Sequence, residues 1–295
     1  MSDMIPKHDR VGGNPAVVIG IATHNRADLL RKAISSALSQ SYRPRRVAVI
    51  DDSSTDATLT VRDEFPAVRW ERWENRLGQI KARNRMMLSA SDDYYVSLDD
   101  DAWFLEGDEI AIAIDFMESH PSVAAVAFDI LDKDRKNKSR RGINRSIRTF
   151  IGCGHVLRLS VVKRLGGYAE LPGAGWGEER ELCLRIIDAG YEIVGLSGVH
   201  VWHDYSFVGR NLDRQYRDGV WNDLAVVLLR APLMIVLPAL TARVLQQYLV
   251  ARRIKCGHMY LKCAVELIPA IPALWRGRRP VRLSTIARYQ ALPAH

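Results

Sequence analysis

The sequence predicts an α/β fold: a mostly parallel central sheet flanked by helices, followed by a helical C-terminal extension. Three observations point there. Short apolar runs alternate with stretches of helical spacing from Ala16 to Leu196, the pattern of a parallel sheet with crossover helices. Acidic clusters, Asp51-Asp52 and Asp99-Asp100-Asp101, each follow such a run, and ligands of open α/β sheets bind at the carboxyl ends of strands. From Leu224 the chain becomes apolar and then basic.

The elements follow in order. Ala16–Ala22 (AVVIGIA) reads as a buried strand, and Leu29–Gln40 carries apolar residues at helical spacing with Asp28 available as a cap. Arg46–Ile50 is a second strand, Ala57–Glu64 a short helix and Val68–Arg72 a short strand. Gly78–Ala90 reads as a helix and Tyr94–Leu98 as a strand running into the aspartate triplet. Glu109–Ser119 is a helix closed by Pro121, and Val123–Phe128 a strand. Asp132–Arg148 is a highly charged loop. Ser160–Leu165 and Glu178–Ala189 are helices stopped at Gly166 and Gly190, and Tyr191–Leu196 is a further strand. Leu224–Leu240 is apolar but interrupted by Arg230, Pro232 and Pro238. It is at the lower limit for crossing a bilayer, so an interfacial helical hairpin or a helix packed on protein is expected instead. The divisions are a loose leader over 1–15, an α/β domain over 16–222 and an apolar, basic extension over 223–295.

The formal charge is +8, and it resides at one end. From Thr241 to His295 there are ten Lys and Arg and one acid, Glu266, which leaves the α/β part near neutral. Such asymmetry points to an acidic partner, and the apolar stretch before it favours a membrane surface over nucleic acid. The four cysteines form no CxxC pair and have no zinc spacing, so buried free thiols in a reducing compartment are expected. The first fifteen residues lack an apolar run of signal-peptide type. A cytoplasmic location follows, with peripheral attachment to the inner face of the cell membrane as its extension.

Three aspartates at a strand end repel one another unless a cation is near, and hard divalent cations seek carboxylate oxygens. Asp52 can accept from a base or a ribose hydroxyl. Lys81, Arg83 and Arg85 follow Gly78 at a helix start, where cations could neutralise a diphosphate. Gly173–Arg185 (GAGWGEERELCLR) brings a glycine-rich approach and then Glu178 and Glu179, either of which could act as general base. His203 is a candidate ligand for Mn²⁺. Trp103, Trp176 and Trp202 could stack on a sugar or base, or simply pack.

Taken in order, these segments resemble the inverting glycosyltransferases of the GT-A fold, family 2. Thr23-His24-Asn25-Arg26 resembles the family's T-x-N-R, and Val49–Asp56 its V-D-D-x-S-x-D. Asn75–Asn84 resembles its segment ending in A-R-N, Leu98–Ala102 its L-D-x-D, Gly152–Arg158 its G-x-G-x-x-x-R, and Gly177–Arg185 its G-E-D-x-D-L-C-L-R. The resemblance implies a nucleoside-diphosphate-sugar donor held by Thr23, Asn25, Arg26, Asp52, Arg83, Asp99 and Asp100. It implies a divalent cation, Mn²⁺ or Mg²⁺, on Asp101, Asp99 and His203, with Asp101 as the main ligand. Trp176 and Gly177 would meet a saccharide, lipid-linked or small-molecule acceptor. Glu179 stands at the base position, where the family usually has Asp, so either it compensates through backbone placement or Glu178 is the base. Glu181 likewise replaces an Asp, and His24 a more frequent Tyr.

Other classes fit less well. A nucleotidyltransferase would want a glycine-rich triphosphate loop after the first strand, and Gly12-Gly13 precede it. A non-catalytic nucleotide-sugar scaffold would not need an acid at 179.

Overall fold

A computed structural model describes residues 13–133, 143–173, 175–205, 212–253 and 255–295. Most of the expected leader and the middle of the charged loop over 132–148 lie outside these residues. The first half is a strand–helix alternation: β1 (Val17–Thr23), α1 (Ala27–Ser39), β2 (Arg45–Asp51), α2 (Thr58–Glu64), β3 (Arg69–Arg72), α3 (Gln79–Ser89) and β4 (Tyr94–Asp99). There follow β5 (Ala102–Phe104), α4 (Glu109–Ser119), β6 (Val123–Leu131), β7 (Arg145–Ser146), β8 (His155–Arg158), α5 (Leu159–Leu165), α6 (Glu178–Asp188) and β9 (Glu192–His203).

The α/β class holds, with a mixed sheet in the order β3-β2-β1-β4-β8-β6-β9-β5 and β7 beside β9. β3, β2, β1 and β4 are mutually parallel. β8 is antiparallel to both β4 and β6, and β9 runs parallel to β6. β1 is apolar throughout because both sheet faces are covered. Its Val17, Ile19 and Ile21 enter the core under α1 and α4, while Val18 enters the opposite core with Met86 and Met87 of α3, as the twofold alternation of a strand requires.

Several boundaries differ from the sequence reading for identifiable reasons. Asp28 does not cap α1. The N-cap position is Arg26, and Asp28 lies in the first turn, where its charge favours the helix dipole. β5 and β8 were not anticipated; they are three and four residues long, too short for a periodicity to register. β9 continues past Leu196 to His203, because its far end pairs with β5 and not with β6 alone.

The C-terminal part comprises α7 (Leu212–Arg230), α8 (Leu233–Arg253), α9 (Gly257–Glu266), a 3₁₀ turn (Ile268–Ala270), α10 (Ile271–Arg276) and α11 (Leu283–Ala291). The apolar run 224–240 is divided by the break at Ala231-Pro232. Its first part is buried in α7; its second part forms the start of α8. The expected division between 222 and 223 falls inside α7, which packs as one helix. Arg230, an interruption in the apolar pattern, donates to Glu181 of α6 at 2.5 Å, and Arg185 donates to the same carboxylate at 2.8 Å. Both cations are needed there, because Glu181 is fully buried and an unpaired buried carboxylate would be costly. α11 returns to α6, where Thr285 donates to Asp188 at 2.6 Å. The extension is therefore bound to the α/β domain at both of its ends.

Gly20 offers a test of sheet packing. A Cβ at this position would lie 2.5 Å from atoms of the Tyr95 ring, which is fully buried and has no room to move aside. Gly20→Ala is expected to destabilise the fold by about 1–3 kcal/mol, read as a lower urea midpoint at unchanged m-value.

Candidate active site

A cleft of about 770 Å³ opens at the carboxyl ends of β1, β2 and β4. Its wall includes Thr23, His24, Arg26, Asp52, Arg83, Asp99, Asp100, Trp176, Gly177, Glu178, Glu179 and His203. Residues separated by up to 180 positions thus meet in one depression. Two expected residues are not in this wall. Asn25 has φ +54° and its Oδ1 accepts from the Thr55 backbone N–H at 2.7 Å, so it ties the β1 end to the loop after β2. Asp101 is fully buried behind the cleft.

The aspartate triplet is neutralised largely by the chain itself. Arg26 donates at 2.8 Å to Asp100 and at 2.8 Å to Asp101. Arg83, buried in α3, donates to Asp99. The second oxygen of Asp101 lies 3.2 Å from Nε2 of His203. This last approach follows from topology: β5 begins directly after Asp101 and pairs Ala102 with His203. Burial still pushes the Asp100 carboxyl up to about 6, against the pull of Arg26. Burial pulls the His203 ring down, but hydrogen bonding to Asp101 and Cys153 outweighs it and pushes the ring up to about 11.

One group here can hold a divalent cation. Donor atoms of Asp99, Cys153 and His203 lie within 4.8 Å of one another. An oxygen, a sulfur and an imidazole nitrogen suit a borderline ion better than Mg²⁺, which prefers oxygen alone. A cation there would displace the proton that His203 otherwise keeps. Asp101, expected as main ligand, has one oxygen on Arg26 and the other toward His203, and so orients the imidazole from behind. Cys153 was read from sequence only as a buried thiol; its place between Gly152 and Gly154 was the available signal.

The loop carrying Cys153 is hung on β4. Ser97 Oγ donates to the Gly152 carbonyl at 3.0 Å, and the Gly154 N–H donates to the Ser97 carbonyl at 2.9 Å. His155 bridges the Ile151 carbonyl and the Tyr168 hydroxyl at 2.9 and 2.8 Å. Burial pulls its ring down to about 3, so it is neutral. Asp52 accepts from the backbone N–H groups of Leu77 and Gly78 at 2.6 and 2.8 Å, fixing the turn that starts α3. Of Lys81, Arg83 and Arg85, Arg83 turns into the cleft, while Lys81 pairs with Glu170 and Arg85 with Glu71.

The two glutamates that open α6 differ in environment. Glu178 is buried, and neither carboxylate oxygen has a hydrogen-bond partner on another residue among the described residues. Burial and then the charge of Glu179 push it up to about 8. Glu179 lies 3.7 Å from Arg83; burial raises its carboxyl, and Arg83 opposes the rise. The turn before them is held by a residue that sequence reasoning did not find. Asn222 of α7 donates to the carbonyls of Gly173, Gly175 and Trp176 and accepts from the Gly173 N–H. This allows the positive φ of Trp176 and Gly177. Trp176 is 56% exposed beside the cleft. Trp103 and Trp202 instead stack on each other at 6.2 Å across the β5–β9 pair.

The chain is similar to several known proteins. Residues 18–168 match the family model described as Glycosyl transferase family 2. EpsE of Bacillus subtilis (strain 168), which carries the name of a glycosyltransferase, is 28% identical over 197 residues, 61% of this chain and 69% of that one. The Escherichia coli protein WfaP, named a UDP-Glc:α-D-GlcNAc-diphosphoundecaprenol β-1,3-glucosyltransferase, is 31% identical over 120 residues, 40% of this chain and 47% of that one. The mannosyltransferase PcManGT from Pyrobaculum calidifontis, solved with GDP-Man and Mn²⁺, superposes with a TM-score of 0.61 at 20% identity, covering 87% of this chain and 88% of that one.

Two outcomes are expected. A Cβ on Gly152 would lie 2.6 Å from Glu179 Oε1 and 3.2 Å from the terminal nitrogens of Arg83. The Glu179 side chain can swing away at little cost in stability, so Gly152→Ala should leave the melting temperature nearly unchanged while lowering turnover by about tenfold or more, since placement governs rate steeply. Glu178 generates a pH dependence. In the unfolded chain it loses its proton near 4.5, in the folded chain only near 8. The folded state therefore binds more protons across that window, and its stability is full below the window and falls as pH rises through it. Glu178→Gln should remove a slope of at most about 1.4 kcal/mol per pH unit, measured by urea unfolding from pH 5 to 8.

Proposed function

The chain belongs to glycosyl transferase family 2, and from that premise we propose that it transfers a sugar, with inversion, from a nucleoside-diphosphate sugar to an acceptor hydroxyl. The observation that carries this reading is the line Asp99–Arg83–Glu179 along the cleft: one buried guanidinium bonded to Asp99 and 3.7 Å from Glu179. The guanidinium places one positive charge between two carboxylates, one facing the leaving group and one the acceptor.

The reaction is a single displacement. The acceptor oxygen attacks the anomeric carbon from the face opposite the diphosphate. The bond from that carbon to the diphosphate oxygen breaks, and the nucleoside diphosphate leaves with the electron pair. Glu179 takes the acceptor proton as the new bond forms. Arg83 supplies positive charge near the departing phosphates, which form where water is partly excluded and such charge counts for more. A divalent cation held by Asp99, Cys153 and His203 would add further charge at the leaving diphosphate. Arg26 and Asp101 hold the Asp99 end of the site in position.

Glu179 is assigned as base, and not Glu178, because Glu179 lies 3.7 Å from Arg83 whereas Glu178 is buried with no hydrogen-bond partner among the described residues. Trp176, exposed at the cleft mouth, offers a flat apolar face to a sugar ring of the acceptor. The name of WfaP specifies a lipid-linked saccharide acceptor and a UDP-sugar donor, and that likeness supports a saccharide or lipid-linked acceptor for this chain.

Calorimetric titration with UDP, GDP and dTDP tests the donor site. One of these is expected to bind tightly with Mn²⁺ and weakly with EDTA, and Asp99→Asn should abolish the difference. Binding of none by folded protein would remove the reading. Glu179→Gln should lower kcat by about 10²- to 10⁴-fold with nucleotide affinity unchanged, and Glu178→Gln by much less. The reverse order would make Glu178 the base.

A further inference from the structure

The chain carries an exposed apolar surface that the cleft does not use. Of twenty large hydrophobic residues exposed in the described structure, eleven lie between Leu233 and Leu283. The densest group is one face of α8: Leu233, Met234, Leu237, Leu245 and Leu249, with Met234 85% and Leu237 71% exposed. Their spacing places them along one side of the helix. Further along the helix, Leu240, Val244, Tyr248 and Ala251 pack with α7 and α9, while Leu245 and Leu249 stay exposed.

Charge is distributed along α8 in a matching way. Before its last two residues its sole charged side chain is Arg243. That guanidinium bonds to Asp223 of α7 at 2.5 and 2.6 Å, so it faces inward and the outer face is uncharged. The helix then ends in exposed Arg252 and Arg253, followed by exposed Lys255, with Lys262 exposed on α9. An uncharged apolar strip ending in a cationic cluster is the pattern of a helix lying in the plane of a membrane interface, where anionic headgroups attract Lys and Arg.

We infer that the outer face of α8 docks on an anionic lipid bilayer, with the helix lying flat in the interface and the cations at its C-terminal end on the headgroups. The helix has 21 residues and is long and apolar enough to cross a membrane. Crossing would require breaking the Arg243–Asp223 pair and stripping the inward face from α7 and α9, whereas lying flat leaves both intact. A second copy of the chain is a poorer occupant, because the single acid among residues 241–295 leaves two such cationic ends to repel each other. Docking does not depend on the transfer chemistry, so it and the donor-site reading fail separately. The same face is tied to the cleft through α7, whose Asn222 holds the Trp176 turn.

The test is flotation of the full chain with vesicles of phosphatidylcholine alone or with about 30% phosphatidylglycerol, the anionic component supplying the surface potential. Wild type is expected to bind the anionic vesicles about tenfold more tightly than the neutral ones in low salt and to lose most of that preference near 1 M salt, where charges are screened. Leu237→Asp with Leu245→Asp should abolish binding while the urea midpoint stays unchanged, because both residues are exposed. Ile112→Asp, on the exposed side of α4, should bind like wild type. Failure of wild type to float with anionic vesicles overturns the inference, as does equal binding by the double variant. So does a wild-type dimer in analytical ultracentrifugation that the double variant converts to monomer without any vesicle binding.

Discussion

Three carboxylates at the end of one buried strand are the constraint around which the molecule is arranged. Asp99, Asp100 and Asp101 leave β4 in succession, and two of them are buried. Like charges so close in a medium of low polarity cannot all stay ionised without counter-charge. The chain supplies it from three directions. Arg26 comes from the β1–α1 turn, Arg83 from α3 and His203 from the end of β9. Each ion pair also joins a separate element to β4, so the electrostatic requirement closes the cleft as it is met. Asp99 keeps a partly exposed carboxylate beside Cys153 and His203, whose donor atoms lie close enough to share a cation with it.

The second arrangement is mechanical. The glutamate-bearing start of α6 is preceded by a turn with two successive residues at positive φ, a conformation that needs outside support. Asn222 provides it from α7, and the ion pair of Glu181 with Arg230 joins α6 to the same helix. On the other side, Gly152 leaves room for the Glu179 carboxylate beside Arg83. The C-terminal helices that begin with α7 therefore form part of the scaffold of the candidate site. Removing it would leave Glu181 buried with one cation fewer and the Trp176 turn without its four hydrogen bonds.

The basic character of the C-terminal part divides into two populations. Arg243, Arg278 and Arg282 turn inward onto Asp223, the carbonyls that end α7, and Asp188. Arg252, Arg253, Lys255 and Lys262 remain on the surface. Net charge counts both alike, although only the second can attract an acidic partner. The apolar residues divide similarly: those of α7 are core, and those along the outer side of α8 are not.

The order of strands and helices in the first half was legible in the sequence, because the twofold and 3.6-fold periodicities of β1, α1, β2 and β4 are local properties of a dozen residues at most. The acidic strand ends and the Glu178-Glu179 start of α6 were legible for the same reason, whereas Arg83 was singled out from Lys81 and Arg85 only by the family resemblance. Partnerships between distant residues were not. Nothing near Asp101 reveals that Arg26 will bond to it, since the two are joined only when β1 and β4 pair. Cys153 reads as an inert thiol until β8 runs antiparallel to β4 and brings it to Asp99. Trp103 and Trp202 read as candidate platforms until β5 pairs with β9 and they stack on each other. Asn222 reads as one polar residue in a helix, and only the packing of α7 against α6 gives it the carbonyls of the Trp176 turn. Periodicity is encoded over a few residues, whereas contact across 50 to 100 residues depends on the path of the whole chain, and it is that path which decided the site.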